Sequence, residues 1–224
     1  MIKHILFDLD NTLMDFNKAE YNAFQEVMMH YGVDFTEPLF HQYEVINARL
    51  WKELEQGLVT MDYVQNKRFA IFFEQLDLVI EGEQANKYYH KMLQNQYELV
   101  SNAEEVCGIL AKQHQISIVT NGVYNTQINR IHNSAIDKFI TNIFISESIG
   151  YEKPDVRFFE YVLEKIQCNK NDVLVVGDSL SSDIQGGINV GIQTCWYNFK
   201  KIENKSGIIP DYVISDLIEL YKIV

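Results

Sequence analysis

Short apolar runs recur along the chain, and most of them stop at a polar tip. Residues 2–7 run into Asp8-Leu9-Asp10-Asn11-Thr12, and residues 115–120 alternate apolar and polar before closing at Asn121-Gly122. Residues 143–146 form a third run, residues 172–176 a fourth that closes at Gly177-Asp178-Ser179, and residues 192–196 a fifth. Runs of this length rich in Val and Ile predict strands. Residues 211–214 predict a short edge strand before a last helix from Ser215. Between these runs the apolar positions return at helical spacing. Ala19, Ala23, Phe24, Val27 and Met28 mark a helix over 17–30, and further helices are predicted over 38–56, 60–76 and 83–99, with breaks at Gly57 and Gly82. A short helix follows Ser101-Asn102, and others are predicted over 124–134, 155–166 and from Ser182 to Gly191.

Strands alternating with helices predict an α/β protein, a doubly wound, mainly parallel Rossmann-like sheet. Roughly eighty residues of helix separate the first strand from the second, whereas a crossover needs only about a dozen. The excess predicts an inserted α-helical subdomain over 17–99, with the α/β core formed by 1–16 and 100–224. Trp51, Phe69, Phe72 and Phe73 supply the aromatic core of that insert.

Composition narrows the function classes. The 224 residues are 47% hydrophobic, enough for a sizeable core, and carry a formal charge of −12. That charge excludes a general nucleic-acid or anionic-membrane binder, and a small anionic substrate needs a cation of its own. Cys107, Cys168 and Cys195 are far apart, which excludes a disulfide framework and fits a reducing compartment. Neither a signal peptide nor a membrane-spanning run is recognisable, so a cytoplasmic protein is expected.

The polar tips carry the chemistry. Asp8 and Asp10 lie one residue apart, and like charges so close are tolerable beside a divalent cation or with one acid protonated. A lone pair of this kind is as well explained by a strand end with a helix cap. In a parallel sheet, however, Asp8 and Asp10, Thr120 and Asn121, Lys153, and Asp178 with Asp183 all arrive at one edge. These are the parts that phosphoryl transfer needs: a carboxylate nucleophile, a second acid to move a proton, a hydroxyl and backbone N–H for phosphate oxygens, a Lys against spreading charge, and carboxylates for Mg2+.

In order, Phe7-Asp8-Leu9-Asp10-Asn11-Thr12-Leu13, Val119-Thr120-Asn121-Gly122, Lys153-Pro154 and Gly177-Asp178-Ser179 with Asp183 resemble the four motifs of the haloacid dehalogenase superfamily. The resemblance implies that Asp8 is the nucleophile and Asp10 the general acid/base. It further implies that Thr120, the Asn121 backbone and Lys153 hold the phosphoryl group, and that Asp8, the Asp10 carbonyl, Asp178 and Asp183 hold Mg2+. A helical cap between the first two strands is also implied. Dehalogenases of the superfamily lack the second acid, so Asp10 favours a phosphatase. Asn47-Ala48-Arg49-Leu50-Trp51, Glu55-Gln56-Gly57-Leu58-Val59-Thr60, Arg68-Phe69, Thr120 through Gln127, and Thr194-Cys195-Trp196 resemble the YjjG-type pyrimidine 5'-nucleotidases. The substrate then expected is a small phosphomonoester, a nucleoside monophosphate; the alternatives are a sugar phosphate or phosphoglycolate, or a phosphate-ligand binder without turnover.

Asn47, Trp51 and Arg68 are candidates to meet a base or sugar, or are packing residues of the insert. Phe16 is a candidate hinge or stacking ring, or a plain helix start. The histidines show no ligand spacing and are read as structural. Gly186-Gly187 lies inside a helical pattern and points to close packing instead of a phosphate loop.

Overall fold

All four residues of β1 (His4–Phe7) are buried because this strand lies at the middle of a sheet with neighbours on both sides. The computed structural model describes residues 1–224. After β1 the chain forms α1 (Phe16–His30), α2 (Glu37–Glu55), α3 (Met61–Glu74), α4 (Gly82–Leu93) and α5 (Ala103–Leu110). Then come β2 (Gln115–Thr120), α6 (Tyr124–His132), β3 (Asn142–Ile145), α7 (Ser146–Ile149), α8 (Val156–Ile166) and β4 (Val173–Gly177). The chain finishes with α9 (Gln185–Val190), β5 (Gln193–Tyr197), β6 (Tyr212–Ile214) and a 3-10 segment, Leu217–Lys222.

The sheet order is β3-β2-β1-β4-β5-β6 and every pairing is parallel. His4 is in register with Gln115 on one side and Val173 on the other. Alternation along each strand feeds two cores. Ile5, Phe7, Ile116, Ile118, Leu174 and Val176 pack on one face with α5, Ile131 and Leu217. Leu6, Val119, Val173 and Val175 pack on the other with Phe158, Phe159 and Val162 of α8. The strand order reverses direction between β1 and β4, so a crevice opens at their C-terminal ends, the place where such sheets bind ligands.

The chain divides into two compact units, residues 1–16 with 97–224, and residues 17–96. The second is helical throughout. Phe24, Tyr43, Phe69, Phe72 and Tyr89 are fully buried in it, with Phe24 and Tyr43 ring centroids 4.7 Å apart. No helix is long and apolar enough to cross a membrane.

Three elements depart from the sequence pattern. The helix expected to reach residue 99 stops at Leu93, and Leu99 instead forms an antiparallel bridge to Met14. The segment after β4 opens as a π-helical turn, Leu180–Ile184, before α9 begins. The last helix is 3-10, started by a capping box between Asp216 and Glu219. Gly186 and Gly187 are packing glycines: a Cβ on the first would overlap the Phe159 ring, and on the second Val175 and Thr194.

Candidate active site

β1 ends one residue before Asp8, so strand alternation alone does not place the two acids. The Asp8 amide still donates to Val176 O at 2.9 Å, which holds it in line with the strand. The next residues wind into a tight loop in which the amides of Leu13 and Met14 both donate to Leu9 O, with Asn11 at φ 61. Asn tolerates that left-handed conformation better than most residues. The loop sends Asp8 and Asp10 to different partners.

Asp8 meets Lys153, whose Nζ donates to Asp8 Oδ1 at 2.7 Å, Asp183 Oδ1 at 2.6 Å and Val119 O at 2.7 Å. An ammonium has three donors, and all three are used. The Lys153 loop is held by Asn121, whose side-chain amide donates to Lys153 O at 2.9 Å and whose Oδ1 accepts from Lys153 N at 2.8 Å. The Asn121 side chain is thus spent on holding that loop, and its backbone is what remains for a ligand. Asp183 is fixed on the π-helical turn, with Oδ2 accepting from Ser179 N at 3.2 Å. Gly177 makes the room, since a Cβ there would overlap the Asp183 carboxylate. Asp178 is pinned through its backbone: its amide donates to Thr12 Oγ1 at 3.1 Å, and its carbonyl accepts from Trp196 Nε1 at 2.8 Å.

Oxygens of Asp8, Asp178 and Asp183 lie within 4.8 Å of one another. Burial pushes the Asp8 carboxyl up to about 7; Lys153 opposes this, and the neighbouring Asp183 and Asp10 add to it. Asp178 is also raised well above the usual carboxylate range, by burial first and then by Asp8 and Asp183. For Lys153 burial favours the neutral amine, but Asp183 and Asp8 outweigh it and hold the ammonium. Three gathered acids therefore share one ammonium. Their hard oxygen donors fit a divalent cation such as Mg2+, which would restore the ionised forms that burial disfavours.

Asp10 has hydrogen-bond partners of its own. Its Oδ1 accepts from Arg130 NH1 at 2.5 Å and its Oδ2 from Gln127 Nε2 at 2.8 Å. Gln127 Nε2 also donates to Thr120 Oγ1 at 2.9 Å. Gln127 and Arg130 sit three residues apart on one face of α6, the helix that follows the Thr120 strand tip. Sequence reasoning assigned neither of them a role, nor Thr12; the visible signal was a Gln and an Arg at helical spacing directly after the Thr120-Asn121 strand tip. Phe16 lies beside this group, its ring centroid 5.7 Å from the Arg130 guanidinium carbon.

The remaining candidates belong to the helical unit. Asn47 Nδ2 donates to Glu20 Oε1 at 2.6 Å, Arg68 Nε donates to Asn86 Oδ1 at 2.8 Å, and Arg68 NH2 lies 2.8 Å from His90 Nε2. Burial, with Arg68 beside it, lowers the His90 pKa to about 3, so the ring stays neutral and accepts from the guanidinium. Its bonds to Asn86 and His90 account for the burial of Arg68 inside its own unit; Asn47 is buried there with Nδ2 on Glu20 and Oδ1 without a partner, and Trp51 is half-buried.

A family model described as haloacid dehalogenase-like hydrolase matches residues 5–197. The chain is 37% identical to the HAD-hydrolase YfnB of Bacillus subtilis over 98% of its length and 94% of YfnB. A crystal structure of YfnB bound to magnesium superposes with a TM-score of 0.95, covering 99% of this chain and 98% of that one. The pyrimidine 5'-nucleotidases PynA of Streptococcus pneumoniae and YjjG of Escherichia coli are 33% and 32% identical, over 95% and 96% of this chain and 90% and 95% of theirs.

Proposed function

The chain belongs to the haloacid dehalogenase-like hydrolase family, and on that premise we propose that it is a Mg2+-dependent phosphomonoesterase acting through an aspartyl-phosphate on Asp8. The observation that carries this reading is the division of labour between the two acids of the first motif. Asp8 lies against Lys153 and within the acid cluster, whereas the carboxylate of Asp10 is held by Arg130 and Gln127.

In the first half-reaction an Asp8 carboxylate oxygen bonds to phosphorus as the ester P–O bond breaks, and Asp10 gives its proton to the departing oxygen to yield the alcohol. In the second, Asp10 takes a proton from water, the water oxygen bonds to phosphorus, and the Asp8–phosphorus bond breaks to release phosphate. Thr120 Oγ and the Asn121 backbone grip the non-bridging oxygens, and Lys153 offsets their charge. Asp8, the Asp10 carbonyl, Asp178 and Asp183 would hold Mg2+, which when bound neutralises charge on the phosphoryl group.

The substrates proposed are pyrimidine nucleoside 5'-monophosphates, supported by the likeness to PynA and YjjG along nearly the whole chain. In this reading the helical unit, residues 17–96, is the cap that selects the leaving group. A panel of phosphomonoesters including dUMP, dTMP, UMP and sugar phosphates, with and without Mg2+, tests it. Highest kcat/KM on the pyrimidine nucleotides is expected, lost without metal and lost in a folded D8N variant. Sustained turnover by D8N refutes the mechanism, and a preference for sugar phosphates refutes the substrate.

A further inference from the structure

We propose that Gln127 and Arg130 are positioning residues that aim both the proton of Asp10 and the hydroxyl proton of Thr120 at the phosphoester. The inference rests on the phosphomonoesterase reading above and assigns two residues that the four motifs do not contain.

The geometry is a two-point hold. Arg130 NH1 donates to one Asp10 oxygen and Gln127 Nε2 to the other, and Arg130 NH1 also donates to Gln127 Oε1 at 2.9 Å, so the two holding residues brace each other. Each carboxylate oxygen has two lone pairs, so one donor apiece fixes the plane of the group and leaves a site on each oxygen for the transferred proton. Thr120 is set by the same amide. Its Oγ1 accepts from Gln127 Nε2 and, at 3.2 Å, from the Gly122 amide, which fills both lone pairs. What the hydroxyl has left to offer is its proton, directed at an acceptor such as a phosphoryl oxygen.

Two further observations favour a purpose beyond packing. Arg130 is fully buried and Gln127 is 1% exposed. A buried guanidinium carries a desolvation cost that Met or Leu at the same place would avoid, so filling the core does not explain it. Second, a Cβ on Gly122 would overlap the Gln127 amide, so the glycine after Asn121 makes the space through which Gln127 reaches Thr120 and Asp10. The guanidinium also lies over the Phe16 ring, 5.7 Å from its centroid, a cation–π contact.

Leaving-group dependence separates aiming a proton from merely holding structure. Loss of a nucleoside 5'-alkoxide needs protonation, whereas p-nitrophenolate departs without it, and kcat/KM reports the steps through leaving-group loss. The assay compares kcat/KM for dUMP and p-nitrophenyl phosphate in Mg2+ for the wild type, R130M, R130K and Q127L, with thermal melts to verify folding. Expected is a drop of about 100-fold on dUMP and at most about tenfold on p-nitrophenyl phosphate for R130M and Q127L, with partial recovery in R130K. The smaller loss on both esters is the share of the Thr120 hydroxyl. Equal losses on both esters in folded variants, or no loss on dUMP, overturn the inference while leaving the phosphatase reading in place. A wild type that releases phosphate from neither ester overturns both. If R130M fails to fold, R130K and Q127L decide.

Discussion

Replacing Lys153 with Met should destabilise the protein in a strongly pH-dependent way. The ammonium is 2% exposed and donates to two carboxylates and a carbonyl, so its removal leaves Asp8, Asp183 and Val119 O without their shared donor. Breaking a buried ion pair from one side costs roughly 3–5 kcal/mol, or about 10 °C in melting temperature for a chain of this size. The sign with pH follows from Asp8. Its folded pKa of about 7 stands above the ordinary 3.8, so its contribution to stability is full at low pH and is lost as pH rises through about 7. Lys153 opposes that loss in the wild type. Without it, the penalty of K153M grows from pH 5, where Asp8 is protonated, to pH 8, where it is not. Urea unfolding of both proteins across this range, without added metal, measures the difference. Millimolar Mg2+ should recover part of the stability at pH 8 by supplying another positive charge to the same acids. A penalty below about 1 kcal/mol at pH 8, or one equal at pH 5 and pH 8, refutes the reasoning.

Other outcomes follow from single contacts. Gly186→Ala forces a methyl into the Phe159 ring and should cost about 1–3 kcal/mol of stability by chemical denaturation, with kcat unchanged if the π-helical turn before it stays in place. Thr120→Val removes the hydroxyl that Gln127 holds and that is proposed to meet the phosphoryl group, and should lower kcat/KM on every phosphomonoester by about tenfold or more. Acid should destabilise the protein through His4: burial lowers the His4 pKa to about 4, so its stabilising contribution, full above 6.5, is lost as pH falls toward 4. In His4→Gln the drop in melting temperature between pH 6.5 and 4 should be smaller by roughly 5 °C. Because Asp10 is present, incubation with a 2-haloacid without metal should release no chloride; sustained release would contradict the assignment of that acid.

The sheet was legible because each strand is a short apolar run with a polar stop, and a parallel sheet then has to bring Asp8, Thr120, Lys153 and Asp178 to one edge. The hydrogen bonds among them were not legible, since they depend on loop paths that no periodicity encodes. Asn121 shows this well: its side chain ties down Lys153, a role that spacing cannot reveal. Arg130 was hidden because an arginine at a helical position normally reads as solvent-facing, and only the tertiary fold turns it inward. The π-helical turn at 180–184 went unseen because widening one turn leaves the apolar periodicity nearly intact. The fourth helix overran because no Gly or Pro follows Leu93, so the pattern carried on to a residue that pairs with Met14.

The central place of β1 also sets when the active site can come into being. His4 pairs with Gln115 and Val173, so the strand that delivers Asp8 has no partner until half the chain has been made, and lacks its second until after β4. The contacts of the helical unit are all drawn from residues 17–96, close along the chain, and such contacts form early and fast. During synthesis from the N-terminus the helical unit is therefore complete while β1 still waits, an apolar strand with acids at its tip. Assembly of the edge that carries Asp8 has to wait for β4. A truncated chain ending before β2 (Gln115–Thr120) should show a protease-resistant helical unit alongside an unprotected β1.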